Sequence, residues 1–552
     1  MNRAFRSILA AAILLPVIQA CSDAADSVYR NGRVYTVDDS RPWAQALAVE
    51  GERLVFVGDD EGVENYIGPE TEVIDLDGRM VMPGIHDAHT HLLWAGLQLN
   101  YGCQFSQELR LEEMLTALQD CAAGRAKDEW LVAGLFSYEQ FPEGKPHRSY
   151  LDEVFPDTPV FLRERTFHHA LANTRALEIA GIDENTEAPY GGSLPRDETG
   201  RLTGELVETA TELVEPYLPA TPADLNLAAL RWAVEINNQY GITSVQEASA
   251  HLPTLQTLAA LEAEGGLSLH VAAHLIWGSP QFGGMDNDGL EQLIEQRGDY
   301  ASGHVDVDFI KIWVDGAPTP PYFTQADVLP DGAIEFDRVL FPADVLNDAV
   351  IRFDRMGLKI KLHVAGDGSA RAALDAVEAA RNANPGSSTR HELGHTNLVT
   401  PDDMPRFAEL GVIAEMSPST WHIFGRLLGD PPRDAWEFGT LHEHGAMLTI
   451  GTDWVVTPTP NLFPALEGML DRGDESIDLP AALRAMTFNG AYAVGRETVS
   501  GSLEQGKSAD FIVLDRNLFD IPVPEISETR VLRTVFEGRT VFSAEETLQD
   551  SD

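Results

Sequence analysis

Lys359-Ile-Lys-Leu-His-Val364 is a short apolar run ending near a histidine, set between two helical patterns, Ala343 to Met356 and Ser369 to Ala383. A strand flanked by helices in this way joins its neighbours in parallel through crossover connections. The unit recurs along the middle of the chain. Further strand candidates are Pro159 to Arg163, Gly241 to Gln246, Leu269 to Leu275, Asp308 to Val314, His391 to His395, Val412 to Met416 and Met447 to Asp453. Repetition over residues 84–495 predicts an α/β fold, a (β/α)8 TIM barrel with insertions. Its chemistry is expected at the C-terminal ends of the strands.

Outside this middle the texture changes. Residues 27–83 carry short alternating runs with turn residues at Asn31-Gly32 and Glu50-Gly51, and residues 496–545 read the same way. One small β-sandwich domain built from both terminal segments is expected.

The chain has 552 residues, 44% of them hydrophobic, which is ample for a large core and unlike a disordered or collagenous protein. Its formal net charge of −48 opposes phosphate backbones, so nucleic acid is not an expected partner. Such an acidic surface suits extracytoplasmic or salty surroundings.

Residues 1–20 read as a secretory signal: Arg3 and Arg6 precede an apolar run, Ile8 to Ile18, too short to span a bilayer. The ending Ile18-Gln-Ala-Cys21 resembles the lipobox of bacterial lipoproteins, in which the cysteine, here Cys21, is lipidated. Ser22 comes next, where an Asp would be associated with inner-membrane retention in some bacteria. The expectation is a lipid anchor as the only membrane attachment, in the outer membrane and facing the periplasm. Cleavage near Ala20 without lipidation is the plainer alternative. Cys103 and Cys121 remain, either as one disulfide or as two separate buried thiols.

Several polar residues sit where apolar strands end. His89 and His91 are two apart, and on an extended chain such residues share a face. Two converging imidazoles there point to metal ligation, because a buried pair must find partners for both rings. His86 does not share that face and reads as structural. His363, His395 and Asp453 each close an apolar run, and Asp453 also reads as a cap for a helix after it. Lys311, inside Phe309-Ile-Lys-Ile-Trp-Val314, is costly to bury unless paired or modified.

With those stretches in order, the chain resembles the amidohydrolase superfamily, in the family 3 branch that includes N-substituted formamide deformylases. The matching segments include Met82-Pro-Gly-Ile-His-Asp-Ala-His-Thr-His91, Thr203-Gly-Glu-Leu-Val-Glu208, Ile310-Lys-Ile-Trp-Val-Asp-Gly316, Leu362-His-Val-Ala-Gly-Asp367, Glu392-Leu-Gly-His395, Gly451-Thr-Asp453 and Gly506-Lys-Ser-Ala-Asp510. The resemblance implies a metal centre, with zinc the favoured ion and two ions expected. His89, His91 and Asp453 would hold one. His363 and His395 would hold the other, bridged by a carboxylated Lys311. His86 departs from the acidic or amide residue that relatives often carry there.

The resemblance further implies hydrolysis of a C–N, amide-type, non-peptide bond in a small molecule. Asp453 would move the proton, and His169 would reach the substrate carbonyl or leaving group. Glu208 and Trp454 are expected to line the substrate pocket, and Trp94, Trp313 and Trp421 lie near strand ends too. Two alternatives stay open. A mononuclear aminohydrolase would have no use for a bridging Lys311. A periplasmic solute-binding lipoprotein would show two lobes and a hinge.

Overall fold

A computed structural model describes residues 24–420 and 435–544. The signal segment, the lipobox with Cys21, Trp421 and the last domain residue, Glu545, lie outside the described residues. Among those described, no helix is long and apolar enough to cross a membrane.

Eight parallel strands form one sheet. In chain order they are Ile85–Thr90, Ile242–Ala250, His270–Ile276, Val305–Trp313, Lys359–His363, Glu392–Gly394, Ile413–Met416 and Met447–Ile450. The last stave returns to the first: Thr90 bridges Trp454 in parallel, and the backbone N–H groups of Asp453 and His91 donate to His89 O and Trp454 O, both at 2.7 Å. The sheet is therefore a closed barrel, not the two hinged lobes of a solute-binding protein.

The staves are buried on both faces, which is why they read as near-continuous apolar runs. The helix Ala343–Arg355 shows how the outer ring packs. Leu346, Ala349, Val350 and Phe353 recur at helical spacing and are buried. Asp344 sits in its first turn and Arg352 and Arg355 in its last, each complementing the helix dipole. Gly357, at φ 76°, takes the left-handed turn that releases the chain into the Lys359–His363 stave.

One strand assignment is corrected. The run from Pro159 to Arg163 is not a stave; Val160–Glu164 belongs to an inserted five-stranded sheet with Leu131–Phe136, His169–Ala172, Gly192–Ser193 and Glu205–Glu208. The stave it displaces is Ile85–Thr90, which carries His89 and ends just before His91. The insertion has its own apolar core and a disulfide between Cys103 and Cys121.

The terminal segments interleave. A four-stranded sheet comes from residues 27–75, while a six-stranded sheet inserts Met80–Pro83 between Arg33–Tyr35 and Phe511–Leu514. Tyr29, Val49 and Leu54 of the first sheet share one core with Val81, Phe511 and Val535 of the second. Both ends of the chain thus anchor the barrel's first stave, which begins directly after Pro83 and Gly84.

Candidate metal centre

His89, His91, Lys311, His363, His395 and Asp453 converge on one cavity at the C-terminal mouth of the barrel. Period-two alternation aims His89 and His91 the same way. Gly451 lets the last stave reach them, since a Cβ there would lie 2.5 Å from the His89 backbone nitrogen. Asp453 Oδ1 stands 3.4 Å from His91 Nε2 and 3.9 Å from His89 Nε2. The His395 ring lies 4.3 Å from the His89 ring and 4.7 Å from the His363 ring.

The imidazoles are held from behind. His89 Nδ1–H donates to Glu415 Oε2 at 2.6 Å, while His91 Nδ1 bonds Ser249 Oγ at 2.7 Å and His395 Nδ1 bonds Ser417 Oγ at 2.9 Å. Each bond frees an Nε2 to face the cavity, the arrangement by which outer partners fix a ligating histidine. His363 Nδ1 is buried without a hydrogen-bond partner. Burial first, and then neighbouring cationic groups, hold His89, His363 and His395 well below the usual histidine range. Neutral rings, an orphaned nitrogen and an adjacent carboxylate fit a divalent metal.

Strained backbone collects here as well. Phe167, Glu208, His395, Thr396 and Asp453 all have φ between 40° and 70° although none is glycine. Such conformations persist where surrounding structure enforces them, commonly at active sites.

Two buried lysines lie side by side, Lys311 paired in register with Lys361. Lys361 donates to Ala88 O and has Glu392 at 3.5 Å and Glu415 at 4.0 Å. Glu415, Asp453 and Glu392 act on Lys311 only from beyond pairing distance. The Lys311 Nζ is 3.2 Å from His89 Nε2, and among the described residues no carboxylate pairs with it. Burial, and after it the charge of Lys361, lowers its pKa.

Three expected site residues stand elsewhere. His169 begins an antiparallel strand of the insertion and turns away from the cavity, its Nδ1 3.0 Å from the Tyr138 hydroxyl. His168, one residue earlier and on the opposite face, lines the cavity instead, its ring 5.2 Å from that of His363. Glu208 stands behind it: His168 Nδ1–H donates to Glu208 Oε2 at 2.8 Å, and Thr324 donates to Glu208 Oε1 at 2.5 Å. Burial would lower the His168 pKa, but the Glu208 carboxylate outweighs it and raises it. Trp454 is fully buried against Trp232 and does not reach the cavity.

Trp94 and Trp313 do line it, each within an aromatic stack. Trp94 stacks on Phe167 at 5.3 Å, and Trp313 on Phe282 at 4.2 Å. Sequence reasoning missed His168, Glu415 and Lys361. A second buried-looking lysine in Lys359-Ile-Lys-Leu-His was the one visible signal among them.

Comparison with known proteins agrees with this geometry. A protein-family model described as "Amidohydrolase family" matches residues 72–542. The chain is 28% identical to an N-substituted formamide deformylase of Arthrobacter pascens, covering 93% of this chain and 97% of that one. It is 27% identical to Protein LONG AFTER FAR-RED 3 of Arabidopsis thaliana, covering 94% and 92%. An uncharacterized metal-dependent hydrolase from Pyrococcus horikoshii OT3 shares the fold with a TM-score of 0.67 at 22% identity, over 91% of this chain and 99% of that one. With the match reaching into both terminal sheets and across every stave between them, the chain belongs to the amidohydrolase family.

Proposed function

We propose that this amidohydrolase cleaves the C–N bond of a small, non-peptide amide, using two zinc ions. The observation that carries the reading is the ligand set: four histidines, one aspartate and a buried lysine with no carboxylate in pairing contact, all facing one cavity. His89, His91 and Asp453 would hold one ion, and His363 and His395 the other, with Lys311 between them. Nitrogen and oxygen donors of this kind suit zinc. A bound zinc supplies a water of pKa near ~7 and polarises the carbonyl to be attacked.

The chain's own residues do the rest. Asp453 Oδ1, 3.4 Å from His91 Nε2, is placed to accept the proton of the attacking water and return it to the departing nitrogen. His168, held by Glu208, presents an N–H to the substrate from the cavity wall. The stacked faces of Trp94, Phe167, Phe282 and Trp313 favour an apolar or aromatic substituent and exclude water from the reacting carbonyl. The similarity to an N-substituted formamide deformylase supports the same substrate class.

The test is a panel on the zinc-loaded chain: N-formyl amines, N-acyl amino acids, cyclic amides and dipeptides, with released amine measured. Turnover of N-formyl or other neutral N-substituted amides is expected to lead. Turnover confined to dipeptides, or ammonia released from a heterocycle, would replace this reading with a peptidase or a deaminase.

His168 and His169 give a sharp internal comparison. General acid–base groups typically contribute about 10²–10⁴-fold. His168→Gln is expected to lower kcat about a hundredfold or more with metal content intact, whereas His169→Gln stays within about tenfold. The reverse ranking in steady-state kinetics would move the catalytic role back to His169.

We also propose that Cys21 is lipidated and that the mature protein works outside the cytoplasm, in the outer membrane facing the periplasm. The Cys103–Cys121 disulfide supports an oxidising compartment. Cys21→Ala is expected to block processing or move the protein to the soluble fraction. A correctly processed Cys21→Ala chain still bound to membranes would defeat the proposal.

A further inference from the structure

At the opposite end of the barrel a second set of metal-type donors meets. His270 opens the stave His270–Ile276, and His304 immediately precedes Val305–Trp313. Facing them from the C-terminal sheet are Asp510, next to Phe511, and Glu537, in the turn between Val531–Phe536 and Arg539–Ser543. We propose that His270, His304, Asp510 and Glu537 form a structural divalent-cation site, suited to zinc, that fastens the barrel to the C-terminal hairpin.

His270, His304 and Glu537 each offer a donor atom within 4.8 Å of the others, the spacing of ligands around one ion, and Asp510 adjoins this trio through His270. His270 Nε2 lies 3.4 Å from Asp510 Oδ2 and 3.7 Å from Glu537 Oε1, and His304 Nε2 lies 3.1 Å from Glu537 Oε2. Donors about 2.0–2.1 Å from a tetrahedral zinc are separated by roughly 3.3 Å. One nitrogen from each of two histidines and oxygens from two carboxylates match the donor types of structural zinc sites.

Independent features point at the same spot. Asp510 is nearly fully buried; its Oδ1 accepts the Glu537 backbone N–H at 2.8 Å, and its Oδ2 has no hydrogen-bond partner. A buried carboxylate oxygen left bare is costly unless something cationic meets it. Glu262 Oε1 accepts the His304 backbone N–H at 3.1 Å, and the buried His304 Nδ1, 3.2 Å from the same oxygen, is left without a hydrogen bond.

Two cations are already close, Arg496 and Arg539, the latter acting on both His304 and Glu537. Arg496 Nη2 is 3.1 Å from His270 Nδ1 and 3.3 Å from Nε2. A single nitrogen so near both ring nitrogens lies over the imidazole face, where guanidinium groups stack, and leaves the in-plane lone pairs free. Two carboxylates would neutralise the charge of a divalent ion, so both arginines would face a site of no net charge. Without an ion, the same residues form an ion-paired cluster of His304 between Glu262 and Glu537, and the experiment separates the two.

The full-length chain is stripped with a chelator, reloaded with zinc, dialysed and analysed for zinc per chain. Glu537→Gln and His304→Gln are each expected to carry one zinc fewer than the parent, with amide turnover unchanged. The loss should be additional to that of His89→Ala when the substitutions are combined, so the result does not depend on the catalytic assignment. Parental zinc content in both variants would overturn the site. If either variant fails to fold, an anomalous zinc map of the parent crystal decides: a peak among His270, His304, Asp510 and Glu537 supports it, and a blank there beside an occupied catalytic mouth overturns it.

Discussion

His89→Ala is expected to lose at least about a thousandfold in kcat/KM and to bind less zinc, while the chain stays folded. The size reflects what a metal contributes: polarisation is worth several kcal/mol, and each 1.36 kcal/mol is about tenfold in rate. His89 is central to the cluster, with Asp453, Lys311 and His395 all facing its ring. Removing the ring also takes from Glu415 its partner at 2.6 Å, leaving it the His395 backbone N–H at 3.1 Å and the Ser417 hydroxyl at 3.2 Å. Burial already raises the Glu415 pKa, so the carboxyl can respond by taking a proton, and the stability cost stays below that of an unpaired buried charge. Zinc content and activity are read together, with circular dichroism to confirm folding. A His89→Ala chain with parental activity would sink the metal centre.

The fold was legible because a parallel barrel buries both faces of each stave, and seven staves stand out as apolar runs. The eighth, Ile85–Thr90, holds two histidines and an aspartate and shows itself as a motif rather than a strand. Pro159 to Arg163 misleads for the same physical reason. Val160–Glu164 is buried in an inserted sheet, and local composition does not say which sheet buries a strand.

The candidate ligands were legible because polar groups at the ends of apolar strands need a reason to be there. His168 and His169 were not separable. Both are buried, and which one faces the cavity depends on the register of His169–Ala172 against Glu205–Glu208, a long-range pairing. Glu208 reads as a pocket residue yet stands behind His168, a distinction that needs the 2.8 Å contact itself. Glu415 and Ser417, which hold His89 and His395 from behind, sit in and after an ordinary-looking stave and become visible only once the barrel closes.

Lys311 is proposed to carry a carboxylate group between the two ions. Lys361, its neighbour across the sheet, is a buried lysine whose Nζ has a carbonyl and two glutamates around it. Lys311 has a histidine nitrogen at 3.2 Å instead, and burial together with Lys361 favours its neutral amine. The neutral amine is the form that adds to carbon dioxide, forming an N–C bond and releasing one proton. The resulting carbamate offers two oxygens where an ammonium would repel metal ions. Lys311→Ala should therefore lose one zinc and on the order of a thousandfold in kcat, the several kcal/mol that a metal contributes. Acetate with added zinc should restore part of both by supplying the missing carboxylate. Lys311→Arg should do neither, because a guanidinium keeps its charge and does not form the carbamate. Parental zinc content and turnover in Lys311→Arg would eliminate the bridge, because the histidines and Asp453 would then hold the metal without a carboxylate from Lys311.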